Sequence, residues 1–288
     1  MQPVNAFATT VGTDTEDHLC PRDFARLAEF IRDAAGIKMP ASKVTMLEGR
    51  LRRRVRATGT GTVAGYCTWF FEGGHRHDEI VHLINAVTTN KTDFFREPRH
   101  FDYLRDVVLP MVGNSGQRRI RAWSAACSTG AEPYTMAMVI DAFAAQHGGP
   151  EYGILATDLD TDVLEVARRG VYPAELVVPV PPVLRQRYVL TARGGARDDV
   201  RIVPALRGAI GFAQHNLMDD RYDVGDPMDI IFCRNVLIYF DRPTQEKVVR
   251  RLVDCLRPGG HLFLGHSESI TGFDLPLTPV ANTVFQRT

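Results

Sequence analysis

The stretch Arg121 to Phe143 reads Arg-Ala-Trp-Ser-Ala-Ala-Cys-Ser-Thr-Gly-Ala-Glu-Pro-Tyr and then an apolar run, and it constrains the fold more than any other. A short hydrophobic strand, Ile120 to Ala125, ends in small residues and Gly130. Met136, Val139, Ile140 and Phe143 then recur at the spacing of a buried helix face. The pattern predicts strand, tight turn, helix. Thr129 and Glu132 have the spacing of a capping box and Pro133 suits a first helical turn, so the helix is expected to start here with unpaired N–H groups facing the turn. Ligands of open α/β sheets collect at the carboxyl ends of strands, which makes this turn the expected cofactor site.

A chain of 288 residues, 44% hydrophobic and 24% charged, can bury a core large enough for two domains. Its formal net charge of +0 argues against nucleic acid or an anionic membrane as the main partner, because both demand a sustained cationic surface. Cys20, Cys67, Cys127, Cys233 and Cys255 form no C-x-x-C pair and are odd in number. Neither a disulfide framework nor a zinc site is suggested, and a reducing cytosol is the expected compartment. No basic segment followed by an apolar core opens the chain and no apolar run approaches membrane-spanning length, so any membrane connection is expected through a partner.

Residues 1 to about 18 are polar and Thr-rich and read as a mobile tail. Four helical patterns follow: Phe24, Leu27, Ala28, Ile31; Val44, Leu47, Leu51, Val55; Val63, Tyr66, Cys67, Phe70; and Ile80, Leu83, Ile84, Val87. Glycines separate them, giving a small helical domain over residues 19–87. Its second helix carries Arg50, Arg52, Arg53, Arg54 and Arg56, either a solvated face or a docking surface for an acidic protein. The next stretch, Thr88 to Pro98, wraps polar residues around Phe94 and Phe95. It reads as a linker with two core anchors or as a lid over the cofactor turn.

Ile154 to Thr157 is a second strand capped by Asp158. An acid there commonly accepts both hydroxyls of a ribose, although Asp158-Leu159-Asp160 also suits the cap of the following helix. From about 172 to 208 prolines and a turn at Arg193-Gly194-Gly195-Ala196 interrupt the pattern, predicting a small antiparallel β insertion. Strands resume at Ala209 to Phe212 and Met228 to Cys233. A helix through Val248 to Leu256, a tight turn at Arg257-Pro258-Gly259-Gly260, a strand His261 to Leu264 and a closing hairpin Pro279 to Arg287 complete the chain.

The chain has no G-x-G-x-x-G after the first strand and no G-x-x-x-x-G-K-[ST], which disfavours dinucleotides and nucleoside triphosphates. One glycine, small residues and a Glu at the helix start suit a ligand with an ammonium and a ribose but no phosphate. S-adenosylmethionine has both.

The segments Thr-Asn-Lys-Thr-Asp-Phe-Phe-Arg-Glu, Trp-Ser-Ala-Ala-Cys-Ser-Thr-Gly-Ala-Glu-Pro-Tyr, Ala-Thr-Asp-Leu-Asp, Phe-Cys-Arg-Asn-Val-Leu-Ile-Tyr-Phe, Leu-Arg-Pro-Gly-Gly and Gly-His-Ser-Glu-Ser resemble those of the chemotaxis receptor glutamate methyltransferases, the CheR-type family. They occur in family order over residues 88 to 268. The resemblance implies a class I methyltransferase fold over residues 88–288: a seven-stranded, mostly parallel sheet with an antiparallel final strand, an N-terminal all-α domain and the β insertion. It implies that Asn90, Thr92, Arg96, Glu132, Asp158, Asn216, Leu217, Arg234 and Asn235 form the S-adenosylmethionine pocket, with S-adenosylhomocysteine as product. Cys127 departs from the family, where Ala or Gly is common; a thiol beside a methyl donor is a candidate for oxidation or slowed binding.

The resemblance further implies methyl ester formation on glutamates of bacterial chemoreceptors by a cytoplasmic enzyme, expected to be a monomer with no nucleic-acid partner and no direct insertion into the membrane. A Glu carboxylate is ionised at pH 7, so no general base is required. Arg96 and Tyr239 are the candidates for positioning it. Arg50, Arg53, Arg54 and Arg56 are the expected contacts to Glu-rich receptor helices, and the loop at Gly194 and Gly195 is compatible with holding a receptor C-terminal peptide. Two alternatives remain: a cofactor-binding signalling scaffold without transfer, and a methyltransferase with another acceptor. Against a base acceptor, Arg234-Asn235-Val236-Leu237 stands where exocyclic-nitrogen methyltransferases carry Asn/Asp-Pro-Pro-aromatic.

Overall fold

The computed structural model describes residues 17–114, 119–191 and 198–288. Four helices come first: α1 (Pro21–Ala35), α2 (Val44–Thr58), α3 (Val63–Glu72) and α4 (Arg76–Val87). Pro21 occupies the first turn of α1 and Gly36 ends it at φ 72°. The predicted apolar faces converge on a core containing Leu27, Ile31, Leu47, Leu51, Tyr66, Phe70 and Leu83. Inside that core Glu79 accepts two bonds from the Arg54 guanidinium, at 2.7 and 2.8 Å, and one from the Tyr66 hydroxyl at 2.9 Å. Most of the expected tail lies outside the described residues. Within it, the Asp17 carboxylate accepts from Val63 N at the start of α3.

After irregular backbone over residues 88–97, α5 (Pro98–Tyr103), a π-helical segment Leu104–Val108 and α6 (Leu109–Asn114) continue one another. The sheet then begins with β1 (Arg119–Ala125), α7 (Ala131–His147), β2 (Glu151–Asp158) and α8 (Thr161–Arg169). The insertion contains β3 (Val171–Pro173), α9 (Pro182–Tyr188), β4 (Val189–Thr191), β5 (Asp199–Ile202) and α10 (Pro204–Gly208). Its strands form an antiparallel sheet in the order β3-β5-β4. The main sheet resumes with β6 (Ile210–Gln214) and β7 (Met228–Cys233), followed by α11 (Arg242–Cys255), β8 (Leu256–Leu264), β9 (Leu277–Ala281) and β10 (Val284–Arg287).

The main sheet has the order β6-β2-β1-β7-β8-β10-β9. The pairs from β6 to β8 are parallel, and β10 alone runs against its neighbours. This is the class I methyltransferase sheet. Side chains alternate across it: Ile120 and Ala122 of β1 face the core that includes α7, while Trp123 and Ala125 face the core that includes α11.

Four local expectations change. Thr129 does not cap α7. Gly130 takes the cap position at φ 92° with no side-chain bond, because Glu132 turns instead toward Ser124 and Arg234. Helix α7 is buried on nearly every face rather than along one stripe, since insertion residues Val177, Tyr188, Ile202 and Leu206 cover its outer side. The proline-rich insertion holds a helix, α9, whose Pro182 sits in the first turn where its missing N–H costs nothing. Arg257 to Gly260 is an irregularity within β8, paired to β7 with a register shift, rather than a turn before it. The loop at Gly194 and Gly195 lies outside the described residues.

Arg54 is half-buried and paired, whereas Arg53 is exposed. Arg54→Ala is expected to cost about 3 kcal/mol, because it strands a buried carboxylate. Arg53→Ala should stay within about 0.5 kcal/mol of the parent. Urea unfolding of the two variants measures the difference.

Candidate active site

Because β1, β2, β6 and β7 are parallel, their carboxyl ends share one edge of the sheet. From β1 the chain builds outward to β2 and β6, then returns to place β7 on β1's other side. That is a topological switch point, where open α/β sheets leave a crevice. A cleft of about 1100 Å³, counted to its open mouth, occupies it. Its opposite wall comes from α1–α2 residues such as Ile37, Met39 and Met46 and from the 88–96 segment.

The floor is the turn after β1. Ala126 (φ 64°), Ser128 (φ 51°) and Gly130 (φ 92°) all take left-handed backbone. This costs on the order of 1–2 kcal/mol at each non-glycine position. Tertiary bonds hold the turn: Cys127 N donates to Thr157 O at 2.8 Å, and Ser128 N donates to the Asp158 carboxylate at 2.7 Å. A Cβ on Gly130 would lie 2.8 Å from Ala167 Cβ, so glycine is required by space as well as by φ. Cys127 is buried, and burial pushes its thiol well above the ordinary range, which disfavours the reactive thiolate.

Asp158 ends β2 as a buried carboxylate whose oxygens accept from Ser128 N and Asp160 N. Burial pushes it up to about 6 despite those two N–H bonds. The two carboxylate assignments left open by the sequence separate here. Asp160 caps α8 through one oxygen, accepting from Asp162 N and Val163 N. Its other oxygen accepts from Thr88 Oγ1 at 2.8 Å and Asn90 Nδ2 at 2.6 Å, which pins the polar segment to the sheet. Asn90 thus lines the cleft with its amide committed to Asp160, and its carbonyl accepts from Ser128 Oγ at 2.9 Å.

Arg234, at the end of β7, is the charge centre of the opposite side. Its buried guanidinium donates to Glu97 at 2.9 Å, to Glu132 at 3.1 Å and to the Arg96 carbonyl at 2.5 Å. Burial works against the ionised form of Glu97, but hydrogen bonds from Arg234 and Asn235 hold it down at about 2. Glu132 lies deeper: burial raises it, while Arg234 and Ser124 pull the other way. Asn235 (φ 59°) donates its amide to Glu97 at 3.1 Å.

All the residues expected to form the pocket line this one cleft, together with Tyr239. Their roles in it differ. Asn216 gives its amide to the Ala34 carbonyl at 2.7 Å and accepts from Met218 N, so its side chain joins α1 to the sheet. Leu217 is a buried wall residue. Thr92 is half-buried at the cleft. The Arg96 guanidinium donates to the Lys91 carbonyl at 3.0 Å and makes no ion pair among the described residues. The Tyr239 hydroxyl has no hydrogen-bond partner among them, and Lys43 Nζ sits 5.7 Å from its ring centroid.

Arg50 is not a free surface cation. It donates to the carbonyls of Val87 and Thr88 and, at 2.9 Å, to Thr89 Oγ1, and desolvation lowers its pKa. Arg50 and Arg54 therefore hold the helical unit together, while Arg53 and Arg56 remain exposed. Residue-by-residue reading gave no role to Glu268. Its buried carboxylate accepts from Gly265 N at 2.6 Å, Leu237 N at 2.7 Å and Asn235 N at 2.9 Å, so it holds the loop that carries Asn235 and Tyr239. An acid within Gly-His-Ser-Glu was the available signal.

Residues 90–285 match the family model described as CheR methyltransferase, SAM binding domain, and residues 22–88 match CheR methyltransferase, all-alpha domain. The chain belongs to the CheR methyltransferase family. It is 38% identical to chemotaxis protein methyltransferase 2 of Pseudomonas aeruginosa, over 94% of each chain. It is 39% identical to the chemotaxis protein methyltransferase of Escherichia coli, over 91% of this chain and 89% of that one. To that of Borreliella burgdorferi it is 34% identical, over 87% and 89%.

The cofactor is S-adenosylmethionine, and the CheR-family cleft suits it. Asp158 retains acceptor positions beyond its bonds from Ser128 N and Asp160 N. Among the described residues no helix is long and apolar enough to cross a membrane.

Replacing Glu268 by Gln sets an NH2 group against backbone donors, because an amide has only one accepting oxygen. Glu268→Gln is expected to lower stability by about 2 kcal/mol. It should also weaken S-adenosylhomocysteine binding at least tenfold through the displaced Asn235 loop. Thermal unfolding and calorimetry measure the two effects.

Proposed function

We propose that this protein esterifies glutamate side chains in the cytoplasmic domains of chemoreceptors, with Arg96 and Tyr239 positioning the reacting groups. The observation that carries this reading is the spare bonding capacity at the cleft: among the described residues, an Arg96 guanidinium without a carboxylate and a Tyr239 hydroxyl without a partner, beside Lys43 at the start of the basic helix α2. Acidic receptor helices are the complementary surface for exposed Arg53 and Arg56. Cytoplasmic action by a monomer follows from the same reading, and the insertion is the place where a receptor C-terminal peptide would tether the enzyme and raise local substrate concentration.

When bound, S-adenosylmethionine supplies an electrophilic sulfonium methyl group. The chain contributes position and dryness. Asp158 would accept the ribose hydroxyls, and Asn216 and Leu217 would flank the adenine. Arg96 would grip a carboxylate, either that of the cofactor or that of the acceptor. Tyr239 would donate one hydrogen bond to the acceptor oxygen. Because a glutamate acceptor is already ionised at pH 7, holding it in line with the methyl and stripping its water are the main catalytic tasks.

Labelled S-adenosylmethionine incubated with a receptor cytoplasmic fragment should yield alkali-labile methyl groups. Tyr239→Phe should lower kcat about tenfold or more with little change in S-adenosylhomocysteine affinity. Cofactor binding without ester formation would instead support a scaffold role, and an unchanged rate would remove Tyr239 from the chemistry.

The Asp158 role has a pH signature. Its carboxyl is held at about 6, so above that pH it is ionised and accepts two O–H donors. Below it the group is protonated and becomes a donor itself, losing acceptor capacity. S-adenosylhomocysteine affinity should therefore fall as pH drops through about 6, and calorimetry from about pH 5 to 8 should show that step flattened in Asp158→Asn.

A further inference from the structure

Behind the Arg234 pair, outside the cleft lining, lie Glu97, His100 and His266. One potential ligand atom from each falls within 4.8 Å of the others. His100 Nδ1 is 3.5 Å from Glu97 Oε2, and His266 Nε2 is 3.9 Å from the same oxygen. A tetrahedral zinc ion with bonds of about 2.0–2.1 Å requires ligand atoms about 3.3 Å apart, so small movements would close the set.

The surroundings of the other nitrogen favour one tautomer of His100. Nε2 lies 3.3 Å from the Asn282 carbonyl and 3.0 Å from Thr283 Oγ1. The carbonyl can only accept, and Thr283 Oγ1 already donates to it at 2.8 Å, so both partners favour a proton on Nε2 and leave the Nδ1 lone pair bare. That nitrogen has no hydrogen-bond partner among the described residues, although His100 is only 2% exposed. A buried lone pair facing a carboxylate lacks a cation between them. Imidazole ligands to metals commonly donate their second N–H to a backbone carbonyl, as His100 does. The exposed ring of His266 provides a route of entry.

We propose that Glu97, His100 and His266 form a site for a zinc-class divalent cation, with a coordination position left open to solvent. Two imidazoles and one carboxylate are a borderline-soft set suited to zinc rather than magnesium or calcium. The sequence suggested no zinc site, because His266 comes from a segment distant from Glu97 and His100 and leaves no spacing signal. The cation competes with Arg234 for Glu97 Oε2, to which the guanidinium now donates at 2.9 Å. Glu97 also accepts from Asn235 Nδ2. Binding therefore loosens two cleft residues, so zinc and the cofactor oppose each other. This coupling rests on the cofactor reading of the cleft; metal binding by itself does not.

Zinc chloride titrated calorimetrically into the full chain carrying Cys20→Ser, which removes an exposed thiol, tests the site. One zinc per chain is expected, weakened at least tenfold by His266→Ala. That variant keeps the backbone N–H at residue 266 and should bind S-adenosylhomocysteine like its parent in the absence of zinc. In the parent, zinc should weaken S-adenosylhomocysteine several-fold, and S-adenosylhomocysteine should weaken zinc by the same factor. No zinc binding, or equal binding in His266→Ala, overturns the site. Zinc binding lost in His266→Ala but without effect on S-adenosylhomocysteine overturns the coupling and leaves the site standing.

Discussion

A buried guanidinium between two carboxylates organises the cleft. Arg234 is nearly inaccessible, and without Glu97 and Glu132 its charge would be stranded in the interior. The three residues come from the end of β7, the polar segment before α5 and the first turn of α7, which are far apart in the chain. A single charge requirement therefore fixes how lid, turn and sheet meet. Arg234 also lies over the rings of Phe101 and Phe232, at 5.4 and 5.7 Å, so its planar cation adds attraction to the aromatic packing beneath it. Such a triad specifies geometry more than it adds stability, since its desolvation offsets much of its attraction.

Around that centre, carboxylates satisfy the backbone of irregular segments that could not otherwise be buried. Asp158 takes the N–H groups of Ser128 and Asp160, Asp160 takes the start of α8, and Glu268 takes three N–H groups of the loops after β7 and β8. The environments then separate acids of one type. Glu97, met by Arg234 and Asn235, is held near 2, whereas Asp158, met mainly by burial, is raised to about 6. One is structural counter-charge; the other sits where its protonation can follow pH.

The cleft is composite because the helical unit is locked to the sheet's edge. Gly36 approaches Met218 and Phe240 so closely that a Cβ would lie 2.5 Å from Met218 Sδ. Lys38 N donates to Tyr239 O, Asn216 donates to Ala34 O, and Asn85 bonds Thr161 at the start of α8. These contacts carry Met39, Lys43 and Met46 into the cleft wall. The basic helix α2 is thus placed beside the site that an acidic acceptor would enter.

The strand–turn–helix at Arg121 to Phe143, the four amphipathic helices and the β insertion were legible from the sequence, because periodicity and turn residues are local; the residues that line the cleft came from the resemblance of the chain's ordered motifs to the CheR-type family. Which arginines are free was not legible: Arg50, Arg53, Arg54 and Arg56 share one helix, and only the packing of Val87 and Glu79 against it distinguishes them. The capping box at Thr129 failed because Glu132 had a stronger partner in Arg234, more than one hundred residues away. The burial of α7 on all sides, the role of Glu268 and the convergence of Glu97, His100 and His266 likewise depend on contacts between distant segments. Sequence by itself determined most of the elements, their order and the cofactor class, since these follow from local pattern and motif. Tertiary structure decided which charges are spent on one another and which remain available, because that depends on burial and on partners the chain brings together only when folded.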